Sequence, residues 1–353
     1  MHALNPIAVL AIFLSAALIV AGWRISRSSE RPPFGFGKDE TLPLRGLLAL
    51  LVVLGHLDNK TGHVYPLIAQ IHWATPAVAV FFFLSGYGLL KSREGAVAAG
   101  TLSGYWGRLF RRAAFRLLPA LIILGILNLA VIFLFGKIDL HELLVRLASG
   151  RFLTIPHHWY VLALVFLYLA FGISFSLRRR ICQFGMLFGL VCAYWIFCRF
   201  VFHWPFWWWT TVFSFFVGVL FSFHEERVRH LIAVRPLTVY VAMAVILTVA
   251  FGLYGIRSLP IAGRLKEPFC ALLGPSVALL LYSSDFLTRV RPLKVLGVMS
   301  YEIYLAHGIF EVNLLELNLP AFTYIAAVIA ATLAVAMPLC RLDEAIRRSG
   351  TSF

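Results

Sequence analysis

Residues 45–56 read Arg-Gly-Leu-Leu-Ala-Leu-Leu-Val-Val-Leu-Gly-His, ten uncharged and mostly aliphatic residues between a basic side chain and an imidazole. In an α-helix the eleven steps from Arg45 to His56 return to nearly the same face, about 16 Å further along the axis. The stretch therefore predicts a helix with Arg45 near one end and His56 deep inside, on one stripe.

The rest of the chain has the same apolar character as this stretch. Of its 353 residues, 61% are hydrophobic and 13% are charged, and the mean hydropathy is +0.86. A soluble domain of this length carries about twice that share of charged residues. Because such a chain cannot cover a surface that faces water, the bilayer has to be part of its solvent. We therefore predict an all-α fold, a polytopic transmembrane helix bundle.

Apolar windows long enough to cross a bilayer predict about eleven transmembrane helices. The first window resembles a secretory signal, but its basic cluster follows the apolar run instead of preceding it, so we interpret it as a retained helix. The predicted helices lie near 5–23, 43–58, 73–91, 117–136, 157–177, 181–199, 207–223, 237–254, 267–284, 297–315 and 320–340.

The basic residues of the chain predict how these helices are oriented. A net charge of +15 would suit nucleic acid, but in a membrane chain an excess of Lys and Arg marks the cytoplasmic loops. Most of these residues fall in alternate segments, at 24–45, 91–116, 178–180, 227–235, 289–294 and 341–348. We therefore predict an N-terminus outside and a C-terminus in the cytoplasm. The lipid bilayer is an expected partner, and nucleic acid is not.

Arg45 and His56 each have an ordinary structural explanation. Arg45 alone is typical of an anchor at the cytoplasmic interface, and His56 alone of a core histidine bonded to a neighbouring helix. The pair in register favours a chemical role, because a titratable imidazole near a cytoplasmic cationic entry suits proton transfer.

The following segments combine small residues with arginines. Ser85-Gly86-Tyr87-Gly88 near a helix end would let a neighbouring backbone or a ligand approach closely. The next loop is rich in guanidinium groups, whose planar forks suit phosphates. Anchoring to lipid head groups explains the same charges equally well. Arg108, Arg111 and Arg112 are predicted to make one turn of a basic helix, and Arg116 follows four residues later.

Two adjacent histidines, His157 and His158, stand before Trp159 at a predicted external mouth. Neighbouring histidines chelate a metal poorly, and no third ligand is close in sequence. We therefore expect no metal here, and favour aromatic packing or binding of an acceptor.

The tenth predicted helix carries a second polar stripe. Ser300, Tyr304 and His307 are spaced i, i+4 and i+7, which puts them on one helical face. His307 lies about 15 Å along the axis, at a depth similar to that of His56. Two imidazoles at one depth suggest a shared internal cavity.

The ordered set of these motifs resembles the acyltransferase-3 family of integral membrane O-acyltransferases. It comprises Arg45 and His56, the Ser85-Gly86-Tyr87 run, the arginine-rich segment ending at Pro119, His157-His158-Trp159-Tyr160, and Ser300-Tyr301 with Tyr304 and His307. The resemblance covers about 40–315. The spacing Arg112-Ala-Ala-Phe-Arg116 before Pro119 is one residue longer than the common form of the family.

The resemblance implies an enzyme that moves an acyl group, in the simplest case acetyl, from cytoplasmic acyl-CoA to a hydroxyl of a carbohydrate or cell-envelope glycan. His56 corresponds to the family's essential histidine and Arg45 to its paired basic residue. His56 would act as general base or accept the acyl group transiently. Arg108 and Arg111 match the family's R-x-x-R element, which is associated with the CoA end of the reaction. The longer spacing before Pro119 leaves open which of Arg108, Arg111, Arg112 and Arg116 contacts the donor. Ser85, Tyr87, His157, Trp159, Tyr304 and His307 are expected to bind or orient substrate.

The resemblance also implies an organisation and a location. We expect an extra helix and cytoplasmic loop at 1–38, the acyltransferase domain at 39–345 and a short tail at 346–353, in a bacterial inner membrane. The family's optional hydrolase-like C-terminal domain is not seen, which leaves room for a separate acceptor-handling protein. The rival interpretations are a proton-coupled transporter or flippase of envelope precursors and a structural subunit of an envelope-polymer machine.

Overall fold

A computed structural model describes residues 6–27, 37, 39–61, 74–255, 271–272, 274–277 and 290–350. Every regular element within these ranges is helical. The predicted helix near 267–284 lies largely outside them. The helices are α1 (Pro6–Arg27), α2 (Leu42–Lys60), α3 (Ala74–Ala98), α4 (Tyr105–Leu134), α5 (Leu140–Ala148), α6 (Trp159–Phe175), α7 (Arg180–Ile196), α8 (Phe213–Phe223), α9 (Glu225–Val234), α10 (Pro236–Gly255), α11 (Arg291–Val298), α12 (Ser300–Leu314) and α13 (Ala321–Gly350).

Five helical stretches in the described ranges are long and apolar enough to cross a membrane. They are Ala74–Ala98, Tyr105–Leu134, Arg180–Val201, Phe206–Phe223 and Ala321–Ile346. A sixth results if α9 and α10, which meet at a bend of 113°, form one broken span. The prediction of an all-helical membrane bundle is confirmed. The count of eleven helices and their orientation stay predictions.

The spans differ in how much of their surface faces the bundle. In α3, 67% of the most apolar window is buried, whereas in Arg180–Val201 the share is only 22%. The peripheral helix α7 exposes large apolar side chains such as Ile181 and Phe188. In water such a surface would be unfavourable, but lipid tails are as apolar as these side chains. The central position of α3 places its small-residue segment inside the bundle.

Helix α4 begins well before the predicted start at residue 117. It starts at Tyr105, directly after Gly104, whose φ of 68° lies in the left-handed region, and it runs through Pro119 without ending there. The predicted window marked only the apolar span, and the arginine-rich segment before it belongs to the same helix because that segment is amphipathic. Trp106 and Leu109 pack against the apolar core, while arginines on other faces reach water.

Two pairs of glycines allow four helices to approach closely. A Cβ on Gly46 of α2 would meet the Leu293 carbonyl, and one on Gly297 of α11 would meet the carbonyl of Leu42. In the same way, Gly86 of α3 lies against the Phe215 carbonyl of α8. Gly218 of α8 returns that contact by lying against the Phe83 carbonyl. Small residues at such crossings let backbones pack directly, as is common between membrane helices.

We predict that Gly86→Ala and Gly189→Ala have opposite effects on stability. At Gly86 the added methyl group overlaps a backbone carbonyl that belongs to a buried helix, and overpacking of this kind costs about 1–3 kcal/mol. Gly189 has no atom within 4 Å of an added Cβ, so alanine there favours the helix by about 0.5–1 kcal/mol. Thermal unfolding of the two detergent-purified variants checks this, and equal stability of the two would contradict the close approach.

Candidate active site

One internal cavity, the arginine cavity, has a volume of about 290 Å³ and contains three guanidinium groups. Arg45 comes from α2, and Arg112 and Arg116 come from the first turns of α4. Ser85 of α3 and Tyr168 of α6 add hydroxyl groups, and the rest of the wall is largely apolar. Guanidinium groups that are held together in this way form a binding site for an anion.

A second cavity, the histidine cavity, is larger, at about 1230 Å³. His56, His157 and His158 lie on its wall. Its remaining lining combines a group of aromatic rings with charged side chains. The aromatic residues are Trp159, Phe206, Trp207, Trp208 and Trp209, and the charged residues are Lys60, Lys137, Arg146 and Glu311.

The two cavities lie toward opposite ends of the same helices. Five helices line both cavities. From one of these helices to the next along the chain, the residue nearer the N-terminus lines the arginine cavity and the histidine cavity in turn. The pairs, with the arginine-cavity residue first, are Arg45 and His56 on α2, Ser85 and Thr75 on α3, Arg112 and Asn128 on α4, Tyr168 and Trp159 on α6, and Ser300 and Glu311 on α12. The bundle is therefore antiparallel here, with one cavity toward each end.

Tyr304 of α12 lies on the walls of both cavities. Its ring contacts Tyr160, with 4.7 Å between the ring centroids. On its other side it meets His307 edge-on at 5.8 Å. Tyr304 therefore stands where a group moving from the arginine cavity toward the histidines would pass.

Three imidazole rings form a cluster at this boundary. The ring centroids of His56 and His157 are 4.1 Å apart, and those of His56 and His307 are 5.3 Å apart. His157 and His307 stack almost in parallel, with centroids 4.9 Å apart and an angle of 7° between the planes. The sequence indicated only that His56 and His307 lie at one depth; the fold brings them together and adds His157.

His157 reaches the cluster by way of an unusual backbone conformation. Its φ of 62° lies in the left-handed region, which non-glycine residues seldom adopt. Gly308 makes room for the ring, since a Cβ there would lie 2.6 Å from Cδ2 of His157. A strained backbone persists only where the surroundings hold it, and it is common at functional sites.

Hydrogen bonds hold two of the three imidazoles. Nε2 of His157 lies 3.1 Å from the carboxylate oxygen Oε2 of Glu311, a side chain only 3% exposed. Nδ1 of His307 donates to the carbonyl of Ile303 over 3.2 Å. Because carbonyl and carboxylate oxygens accept, each ring carries a hydrogen on that nitrogen, and in the neutral imidazole the other nitrogen has a lone pair.

The remaining residues predicted from the sequence fall in different places. Ser85 lines the arginine cavity, and its hydroxyl donates to the Phe81 carbonyl at 2.8 Å. Trp159 lines the histidine cavity. The hydroxyl of Tyr87 donates to Glu225 at 3.1 Å, which ties α3 to α9, and Tyr87 is not among the residues that line the two cavities.

The four arginines of α4 separate into two groups. Arg112 and Arg116 line the arginine cavity. Arg108 donates instead to the carbonyl of Thr101, and neither Arg108 nor Arg111 is among the lining residues of that cavity.

Glu311 is the site residue that the sequence interpretation missed. It follows His307 by four residues and so continues the stripe of Ser300, Tyr304 and His307 along α12. Extending that spacing by one more turn would have identified it. Gly308 offered no such signal, because its role depends on the position of His157.

A comparison with known protein families identifies the family of this chain. The model of the family described as an acyltransferase domain, Acyl_transf_3, matches residues 44–341. No curated protein and no solved structure gives a significant match to the chain. The chain belongs to the acyltransferase-3 family, and it is a multi-pass membrane acyltransferase. The transporter interpretation finds no support.

Proposed function

We propose that this acyltransferase moves an acetyl group from cytoplasmic acetyl-CoA to a hydroxyl of a carbohydrate or cell-envelope glycan, in a bacterial inner membrane. The observation that carries the proposal is the pair of cavities that meet at Tyr304, one with three guanidinium groups and the other with imidazoles. The guanidinium groups can bind the phosphates of a donor, and the imidazoles can hydrogen-bond to the hydroxyl groups of an acceptor.

The arginine cavity is the donor site in this proposal. Arg112 and Arg116, both exposed to solvent, would hold the phosphates of CoA at the mouth. A cavity of about 290 Å³ is at the small end of ligand pockets, so it would enclose the pantetheine arm and leave the nucleotide outside. The arm would pass Arg45 and Ser85 and bring the thioester to Tyr304.

The histidine cavity is the acceptor site. Trp207, Trp208 and Trp209 give it flat apolar faces, and amphipathic rings of this kind suit the apolar faces of a sugar. Charged side chains complete the wall for polar groups. Because Lys137 pairs with Glu316 at 2.9 Å and Arg146 with Glu142 at 2.8 Å, both cations are fixed in position.

His56 is the general base of the reaction. It would take the proton from the acceptor hydroxyl while that oxygen attacks the thioester carbonyl carbon. The carbon–sulfur bond then breaks, CoA leaves as the thiolate, and the proton passes from His56 to that thiolate. The products are an O-acyl ester and free CoA. His157, held by Glu311, and His307 would orient the base and the acceptor.

We predict that His56→Ala lowers acetyl transfer by a factor of about 10²–10⁴, the contribution of a positioned general base. The measurement is the transfer of isotope-labelled acetyl from acetyl-CoA to the total envelope glycan of the host membranes, per amount of folded protein. His141→Ala is the matched control, because His141 is exposed on α5 and lines neither cavity. Undiminished transfer in His56→Ala would overturn the mechanism.

We also predict that Arg112→Ala and Arg116→Ala each raise the KM for acetyl-CoA by about tenfold or more, since a hydrogen bond to a charged group contributes about 1.5–3 kcal/mol. Arg108→Ala and Arg111→Ala should change it far less, because these side chains do not line the donor cavity. Steady-state kinetics of the four variants checks this. A larger rise in KM for Arg108→Ala and Arg111→Ala than for Arg112→Ala and Arg116→Ala would assign donor binding to Arg108 and Arg111, the pair that the family resemblance indicates.

A further inference from the structure

The cluster of His56, His157 and His307 has the geometry of a metal site as well as that of a catalytic site. One nitrogen from each ring lies within 4.8 Å of the other two. Three imidazole ligands with an open fourth position are typical of Zn²⁺ sites that exchange a ligand. Around a tetrahedral Zn²⁺, ligand nitrogens about 2.0–2.1 Å from the ion lie about 3.3 Å from one another. To reach that spacing the rings have to rotate, and the second side-chain torsion of histidine is broad enough to allow rotation.

The hydrogen bonds around the cluster orient lone pairs in the way that metal ligands require. A histidine that binds a metal donates its other N–H to a carboxylate or a backbone carbonyl. His157 has the carboxylate of Glu311 in this role, and His307 has the carbonyl of Ile303. In their neutral forms, His157 and His307 each keep one unprotonated nitrogen.

His307 provides the observation that points to a ligand. Its side chain is fully buried, and its Nε2 atom has no hydrogen-bonding partner among the residues that the structure describes. Because Nδ1 holds the hydrogen, Nε2 has a lone pair without a donor. A buried polar atom without a partner is unfavourable, and a cation between the rings would satisfy it.

The site is accessible from the histidine cavity. His56 and His157 lie on the wall of that cavity, so an ion and a fourth ligand such as water can reach the open position. Glu311 contributes a negative charge that offsets the charge of the ion, whereas Lys60 on the same wall opposes it. Imidazole nitrogen suits Zn²⁺ and related transition metals better than Mg²⁺ or Ca²⁺, which prefer oxygen.

We propose that His56, His157 and His307 together bind one Zn²⁺ per chain, and that the bound ion stops acyl transfer. Inhibition follows because coordination occupies the lone pair with which His56 takes the proton from the acceptor. This second part rests on the proposed function, whereas binding of the ion does not. The site is not apparent in the sequence, because the three histidines lie about 100 and 150 residues apart along the chain.

Binding is tested on the full chain, purified in detergent with an affinity tag that contains no histidine and freed of metal by a chelator. Titration with Zn²⁺ should give one ion per chain, and Co²⁺ as a substitute should give the visible absorption of a tetrahedral nitrogen site. His307→Ala should weaken Zn²⁺ binding at least tenfold. Glu311→Gln should weaken it by about 10–100-fold, the usual effect of losing a partner of a ligand.

The matched control for binding is His158→Ala. His158 lines the same cavity but is not one of the three clustered rings, so its loss should leave the affinity for Zn²⁺ and the Co²⁺ spectrum unchanged. Glu311→Gln keeps the size and a hydrogen-bonding group at its position, so its result stands even if His307→Ala fails to fold. Absence of Zn²⁺ binding to the parent chain, or equal binding by the parent and both variants, would overturn the site.

Inhibition is tested separately with labelled acetyl-CoA in membranes. Transfer should fall at the Zn²⁺ concentrations that fill the site, and a chelator should restore it. Binding without inhibition would overturn the inhibitory role. If a chelator abolishes transfer and added Zn²⁺ restores it, both the inhibitory role and the assignment of His56 as the base are overturned. A chain that binds Zn²⁺ but transfers no acetyl group under any condition would contradict the proposed function and leave the metal site standing.

Discussion

The structure depends on one constraint, which is that polar groups inside an apolar bundle need partners. Lipid offers none, so polar side chains in spanning helices turn toward one another or toward a cavity that holds water. In this chain α2 and α12 follow that rule and bring the polar side chains of their stripes to a common interior. The glycine crossings of α2 with α11 and of α3 with α8 bring backbones into direct contact around it. The helices that carry the polar side chains of the site therefore also make close backbone contacts in the bundle.

The same constraint explains why the polar interior is divided in two. Guanidinium groups gather toward one end and imidazoles toward the other, and Tyr304 with Tyr160 stands between them. A hydrophilic donor and a hydrophilic acceptor can then approach from different ends without a continuous water-filled path. The arrangement suits a membrane acyltransferase, the class to which the chain belongs.

Much of this architecture could be predicted from periodicity and charge. The register of Arg45 with His56 and the stripe of Tyr304 and His307 are local patterns. Arg45, His56 and Tyr304 line the cavities, and His307 lies behind the wall in the imidazole cluster. The apolar window located only the membrane-crossing part of α4, and the structure joins the basic segment before it to the same helix. The convergence of His157 on the other two rings depends on a left-handed backbone and on Gly308, which are tertiary features. For the same reason, spacing along the chain gave no indication of three imidazoles able to share an ion.

In the proposed function the acyl group passes from one end of the bundle to the other through the boundary at Tyr304. The most direct test uses sealed proteoliposomes with the protein in one orientation, labelled acetyl-CoA on one side and the envelope glycan acceptor on the other. We expect labelled glycan only when acetyl-CoA is on the side of Arg112 and Arg116, with free CoA released on that side. Transfer only to acceptor on the same side as acetyl-CoA would contradict it.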